Sequence, residues 1–523
     1  MKKFFKLTFF RVIIQIFTIT FVVYIIWNTK YPLDKFFNPK IFFELDPLVM
    51  VITSVSQRIF LSGLVFAFLM LVMTFVLGRF FCGWLCPLGT ILDFWRYTIF
   101  SIKKIFNKES FKSKRFYDKN NNRKKENVRL LKYYILLTIL IFSLIGQQIS
   151  WMLDPITIFV RTIVFSIQPF LTRLVDKVYI FFLTKWQSLQ IQMVYYWLKE
   201  NFLGFPQMFS NSGIVFYFFS LILLLSLLKP RFWCRYICPL GAMFAFVSKY
   251  SLLKRVTREC PTKCFYCKNL CRMGAIRDDN SYVKEECILC MDCVTYCVTE
   301  KTKFIFFNNK NDSKPVETQK NFTSNISRKE FLVMIGSFVI FLLGFRNKNK
   351  LKDFYFSRMV IRPPGALEEK KFVQQCIRCG NCMKICPTNV LQPTLLESGY
   401  QGIWTPRLNY NTGYCEYNCT LCGKVCPTKA IKELPIEKKI ITKIGTAGID
   451  RNLCIPWLYN ENCLVCEEHC PVPHKAIKIV QQRVVNNKVI KLPEVLSELC
   501  IGCGLCENRC PASPEKAIKV FPV

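Results

Sequence analysis

At 523 residues the chain is long enough for three or four domains, and with 52% hydrophobic residues and 49 Phe it is too apolar to be wholly soluble. Its formal net charge of +37 would ordinarily point to nucleic acid or to an anionic membrane surface. No base-reading motif with interleaved aromatics accompanies that charge, so nucleic acid is set aside as a partner and membrane lipid is kept.

Taken in order, the first elements are apolar runs. Between Arg11 and Lys30 lie 18 uncharged residues, and between Arg58 and Arg79 lie 20. Two more runs fill 133–153 and 212–228. Each is close to the ~20 residues a helix needs to cross a bilayer, and a backbone in hydrocarbon must satisfy its own hydrogen bonds. A polytopic α-helical membrane block of four helices is expected over residues 1–250. No small-residue cleavage site follows the first run, so it is not read as a removable signal. Residues 102–132 hold twelve Lys and Arg against three acids, whereas 30–58 hold four against three. The positive-inside rule puts the former in the cytoplasm, together with both ends of the block.

The block repeats itself. RFFCGWLCPLGT (79–90) and RFWCRYICPLGA (231–242) agree at seven of twelve positions, and an LDP tripeptide precedes each, at 45–47 and 153–155. A duplicated helix pair is the simplest account, with sites at its pseudo-twofold interface. Cys82, Cys86, Cys234 and Cys238 are expected to meet near the cytoplasmic ends of the second and fourth helices. A spacing of four puts each pair on one helix face. The set reads either as a four-thiolate metal or redox site or as small buried packing cysteines.

The other 24 of the 28 cysteines form six quartets with none left over. Residues 251–305 hold Cys260, Cys264, Cys267 and Cys271, then Cys287, Cys290, Cys293 and Cys297. Residues 361–523 hold Cys376, Cys379, Cys382 and Cys386, then Cys415, Cys419, Cys422 and Cys426. Cys454, Cys463, Cys466 and Cys470 follow, and then Cys500, Cys503, Cys506 and Cys510. A tight loop presents three thiolates to three corners of an Fe4S4 cube, while the fourth, on the following helix, ligates the neighbouring cluster. Zinc sites more often pair two CxxC knuckles and use histidine, and a disulfide framework suits a small secreted domain. Six [4Fe-4S] clusters on these 24 cysteines are expected, in α+β bacterial-type two-cluster ferredoxin modules. At about −2 per cluster they lower the net charge to roughly +25.

The quartets are not uniform. Arg272 and Val298 stand where the last four quartets have proline, and eight residues separate Cys454 from Cys463. The pairing of the last four quartets stays open between adjacent and nested arrangements. Only two histidines exist, His469 and His474, so a bis-histidine haem has no ligands, and both read as hydrogen-bonding residues near the fifth quartet. Neither a dinucleotide fingerprint nor a phosphate loop is present, which leaves no nucleotide site. One-electron transfer is the chemistry that remains.

Residues 1–300 resemble the NapH type of membrane ferredoxin-like protein, on four apolar runs, two CxxxCP pairs and two cluster motifs. Residues 327–523 are similar to the NapG/MauM type of four-cluster ferredoxin, most clearly in IRPPGALEEKKFVQQCIRCGNCMKICP, 361–387. The chain thus looks like a fusion of two partners. The resemblance implies a quinol dehydrogenase component that passes electrons from the quinone pool to a periplasmic reductase, such as a nitrate reductase, or to another carrier. Proteins of the NosR type add a flavin domain that has no counterpart here. The alternative the resemblance allows is an accessory protein that supplies electrons for maturing a metalloenzyme.

Between the two parts, over 306–360, SRKEFLVMIG (327–336) resembles a twin-arginine export signal with Lys329 at the second arginine. The apolar run 331–345 is a candidate fifth helix. These features imply an inner-membrane protein whose first cluster pair is cytoplasmic and whose C-terminal half is periplasmic. Arg346, Lys348, Lys350 and Lys352 oppose that arrangement and keep a cytoplasmic C-terminal half open. Quinol oxidation releases two protons, and with no histidine in the block Asp46 and Asp154 of the LDP pair are the candidate acceptors. Helix capping before Pro47 and Pro155 is their other reading.

Overall fold

The computed structural model describes residues 2–33, 39–106, 122–185, 189–200, 207–257, 266–277, 281–297, 302–306, 360–485 and 488–523. Cys260, Cys264, the export-like stretch 327–336 and the run 331–345 lie outside the described residues. The chain divides into two units: Met1–Ile25, Ile41–Thr162 and Ile214–Phe331 form one, and Ile26–Lys40, Ile163–Gly213 and Leu332–Val523 form the other.

The first unit holds the repeat and the first cluster pair. Its apolar helices include Lys2–Asn28, Leu64–Leu77, Asn122–Leu144 and Ser212–Leu228. By length and composition two helical stretches among the described residues could cross a membrane, Leu7–Asn28 and Pro155–Lys185. The second was not expected, because Arg161, Arg173, Asp176 and Lys177 interrupt the uncharged length that marks a span in sequence. The second and fourth expected runs become helices of only 14 and 17 residues.

The LDP tripeptides start helices in the way their residues dictate. Asp46 is the N-cap of Pro47–Gln57, its Oδ1 accepting from the amides of Leu48 at 2.9 Å and Val49 at 3.3 Å. Asp154 accepts from the Thr157 amide at 2.7 Å at the start of Pro155–Thr162. Proline follows as the first helical residue, where its missing N–H costs nothing.

Each CxxxCP pair is split between two elements rather than laid on one helix face. Cys82 lies within Phe80–Trp84, and Cys86 precedes Pro87–Phe106. Cys234 lies within Phe232–Tyr236, and Cys238 is the N-cap of Pro239–Ser248. The cause is the proline, which keeps the preceding cysteine out of helical geometry and begins a new helix. Cys86 and Cys238 then behave as caps through sulfur, accepting from the amides of Gly89 at 3.5 Å and Gly241 at 3.2 Å.

The cluster-motif regions are closed by short antiparallel pairs. Lys254–Thr257 pairs with Thr302–Ile305 around the first two quartets. Leu391–Pro393 pairs with Pro406–Leu408, and a bridge joins Ala366 to Ile431. Gly445–Ile449 pairs with Ile518–Pro522 around the last two quartets, and the hairpin Ile477–Val485 with Lys488–Val495 lies between them.

Within the second unit, segment 163–213 packs on the C-terminal cluster region. Phe165 meets Trp404 at 5.8 Å between ring centroids, and a Cβ on Gly380 would stand 2.9 Å from the Phe165 ring. Gln207 donates to the Lys384 carbonyl at 2.7 Å, and Asn389 and Gln392 donate to the Met208 carbonyl at 2.8 and 2.9 Å.

Candidate functional site

Three of the described three-cysteine loops share a backbone device. Leu289 and Met291 flank Cys290 with positive φ, Arg378 and Gly380 flank Cys379, and Gly502 and Gly504 flank Cys503. Left-handed residues on either side of the middle cysteine curl the loop and gather its amides on one side, which is a cradle for an anion. Glycine is required at Gly504, where a Cβ would stand 1.9 Å from the Tyr410 ring. The quartets beginning at Cys415 and Cys454 have longer first spacings and lack the device.

The fourth cysteine of each motif lies with its neighbour's first three. One cavity is lined by Cys271 with Cys287, Cys290 and Cys293. A second is lined by Cys454, Cys463 and Cys466 with Cys510, and a third by Cys470 with Cys500, Cys503 and Cys506. Electrostatic contacts group Cys426 with Cys376, Cys379 and Cys382, and Cys386 with Cys415, Cys419 and Cys422. Cys297 interacts with Cys267 in the same sense. Among the described residues the pairing is therefore between adjacent motifs, and the nested alternative is absent.

These four sets in the second unit stand in file. Cys382 interacts with Cys422, the Cys415 amide donates to the Cys503 carbonyl at 2.8 Å, and Cys466 interacts with Cys506. The set around Cys376 is thus followed by those around Cys415, Cys500 and Cys454.

Several of these sulfurs accept backbone hydrogen bonds. Amides of Ala275, Ile431, Ala447 and Ala476 donate to the sulfurs of Cys271, Cys426, Cys500 and Cys470 at 3.2 to 3.5 Å. Such bonds tune cluster potential. Burial pushes the thiols of Cys293 and Cys466 up to about 12 and those of Cys376 and Cys503 up to about 11. These environments are hostile to a free thiolate, and metal ligation is what would hold the sulfurs deprotonated. His469 Nδ1 bonds the Val465 carbonyl at 2.9 Å, a local helix contact.

In the first unit the expected meeting of the CxxxCP cysteines is found. Cys82, Cys86, Cys234 and Cys238 are all buried, and every pair of them interacts electrostatically. Asp46 and Asp154 are both fully buried and their carboxyl groups interact. One oxygen of each caps its helix, while Asp46 Oδ2 and Asp154 Oδ1 have no hydrogen-bond donor. The mutual approach of the two carboxyls had no signal in the sequence beyond the repeated LDP.

The class defined by these motifs and cradles is the multi-cluster iron–sulfur ferredoxin. Family models described as 4Fe-4S binding domains match residues 59–108, 212–258 and 493–513, and a 4Fe-4S dicluster model matches 375–430. A model named NosR matches 258–312. The ferredoxin-type protein NapG of Escherichia coli is 36% identical over 169 residues, 31% of this chain and 71% of NapG. The methylamine utilization ferredoxin-type protein MauM of Methylorubrum extorquens is 32% identical over 166 residues, 31% of this chain and 72% of MauM. The ferredoxin-type protein NapF of Escherichia coli is 29% identical over 153 residues, 29% of this chain and 81% of NapF. No solved structure matches. The chain belongs to the ferredoxin-type family of NapG and MauM, with further 4Fe-4S domains beyond the part those relatives cover.

Proposed function

We propose that the protein is an inner-membrane electron carrier that takes electrons from a quinol and passes them through [4Fe-4S] clusters to a partner oxidoreductase. The observation that carries this reading is the file of four cysteine sets, each completed by the neighbouring motif. All 24 quartet cysteines are its ligands, Cys260 and Cys264 joining Cys267 and Cys297. Its membrane part is of the NapH type, with four crossing helices. A cluster accepts or releases one electron at a time, and the protein's part is to place successive clusters in reach and exclude water from them.

The two protons of quinol oxidation need an acceptor. Asp46 and Asp154 are suited to it, because a carboxyl oxygen of each lies buried without a donor. Asparagine retains the helix cap, so Asp46→Asn and Asp154→Asn separate capping from proton transfer. Each is expected to slow quinol oxidation at least tenfold while leaving cluster content intact. Unchanged rates in both folded variants contradict the proton-acceptor role.

A further inference from the structure

Two arginines at matching places in the repeat bear on the four thiols between them. Arg79 opens RFFCGWLCPLG and Arg231 opens RFWCRYICPLG, and both are at most 2% exposed. Each reaches across to the glycine of the other copy. A Cβ on Gly241 would stand 2.9 Å from Arg79 Nη2 and 3.4 Å from Cys238 Sγ, and one on Gly89 would stand 3.5 Å from Arg231 Nη1. Arg231 Nη1 donates to the Cys82 carbonyl at 2.7 Å, and its Nε and Nη2 donate to Asp93. Arg79 Nη1 donates to the Glu285 carbonyl at 3.0 Å and to Glu286 at 3.4 Å. Its Nε and Nη2 meet no oxygen or nitrogen acceptor, and the guanidinium faces Cys82 instead. Buried guanidinium donors without an acceptor are costly, and negative charge on the sulfurs relieves that cost.

The charge count points the same way. In the ion-pair network here, Arg11, Arg79, Lys132, Arg231 and Arg272 face Asp93, Glu286 and Asp292, five cations against three carboxylates. Within this network Arg11 and Arg272 also face Cys290 of the neighbouring set, whereas Arg79 faces Cys82 and Arg231 faces Cys234 and Cys86. A four-thiolate iron–sulfur cluster carries about two negative charges when oxidised.

We propose that Cys82, Cys86, Cys234 and Cys238 hold one further [4Fe-4S] cluster, shared between the two copies of the repeat, with Arg79 and Arg231 as its charge-balancing positioning residues. Each matched segment, 59–108 and 212–258, contains only two of these cysteines, so neither copy supplies the set alone. The centre adjoins the Cys287 loop: Trp84 Nε1 donates to the Leu289 carbonyl at 2.9 Å, and a Cβ on Gly83 would overlap the Ile288 carbonyl oxygen, 2.1 Å away. Such a centre would be held by the four thiolates and would supply one-electron chemistry, ferric to ferrous, so that a quinol's two electrons would pass singly toward the Cys287 set while its two protons go to the acceptors proposed above and quinone leaves.

This proposal rests on the iron–sulfur reading of the six quartets. Iron and acid-labile sulfide are to be counted on the full chain purified without oxygen. Wild type is expected to hold about 28 irons, and Cys82→Ser/Cys234→Ser about 24. Equal iron in both overturns the shared centre alone if the count is about 24, and the six-quartet reading as well if it is lower. Zinc in place of the four irons also overturns it. Arg79→Gln and Arg231→Gln retain the centre's cysteines and should move one signal of a redox titration to lower potential, because a lost positive neighbour disfavours the added electron. Arg79→Lys should restore it. Signals unmoved by either glutamine variant overturn the role of the arginines.

Discussion

Cys470 closes the fifth motif yet lines a cavity with Cys500, Cys503 and Cys506, while Cys510 joins Cys454, Cys463 and Cys466. That exchange makes the outcome of paired substitutions depend on which cavity they share. Cys470→Ser with Cys503→Ser disables one cluster and is expected to remove about four irons. Cys470→Ser with Cys463→Ser disables two and should remove about eight. The reverse, about eight irons lost from the first double variant and about four from the second, would show that each motif keeps its own fourth cysteine. The same burial that shapes the cavities acts on the metal-free chain. With Cys293 and Cys466 pushed up to about 12 from an ordinary value of 9.0, the folded apo chain holds protons that the unfolded chain gives up. Stability of the apo form is therefore present below about pH 9 and is lost as pH rises toward 12, because the native state binds more protons. Denaturant midpoints at pH 7.5 and 10.5 should fall for the apo chain and fall less for the cluster-loaded chain, whose thiolates are already deprotonated. Parallel falls would contradict this account of the thiols.

At the scale of elements, much of the arrangement could be read from residue spacing. The six quartets, the repeat and the caps at Asp46 and Asp154 all follow from local chemistry, in which a cysteine loop, a duplicated motif or an Asp-Pro pair has few alternatives. Where spacing was read as a continuous helix it misled. Cys82 and Cys86 are four apart, but Pro87 ends the helix between them and turns Cys86 into a cap. The long apolar helix Pro155–Lys185 escaped notice because Arg161, Arg173, Asp176 and Lys177 break its uncharged length. The pairing of motifs was also out of reach, since it depends on strands far apart in sequence, such as Gly445–Ile449 with Ile518–Pro522, that close the region around both.

For the whole molecule, the packing of segment 163–213 on the C-terminal cluster region bears on sidedness. That segment joins the third and fourth apolar runs, a connection that the proposed four-helix topology would put on the periplasmic side. A tag at Val523 is therefore expected to be cleaved by external protease once the outer membrane is opened. Protection of the tag in cells with normal activity would put the C-terminal half in the cytoplasm. The central claim, that quinol electrons enter the clusters, is tested most directly by mixing oxidised full-length protein in lipid vesicles with a membrane quinol under anaerobic conditions and following cluster absorbance. The expected result is bleaching on the timescale of turnover, slowed in Asp46→Asn and Asp154→Asn. Clusters that stay oxidised with quinol, yet bleach at once with dithionite, would contradict it.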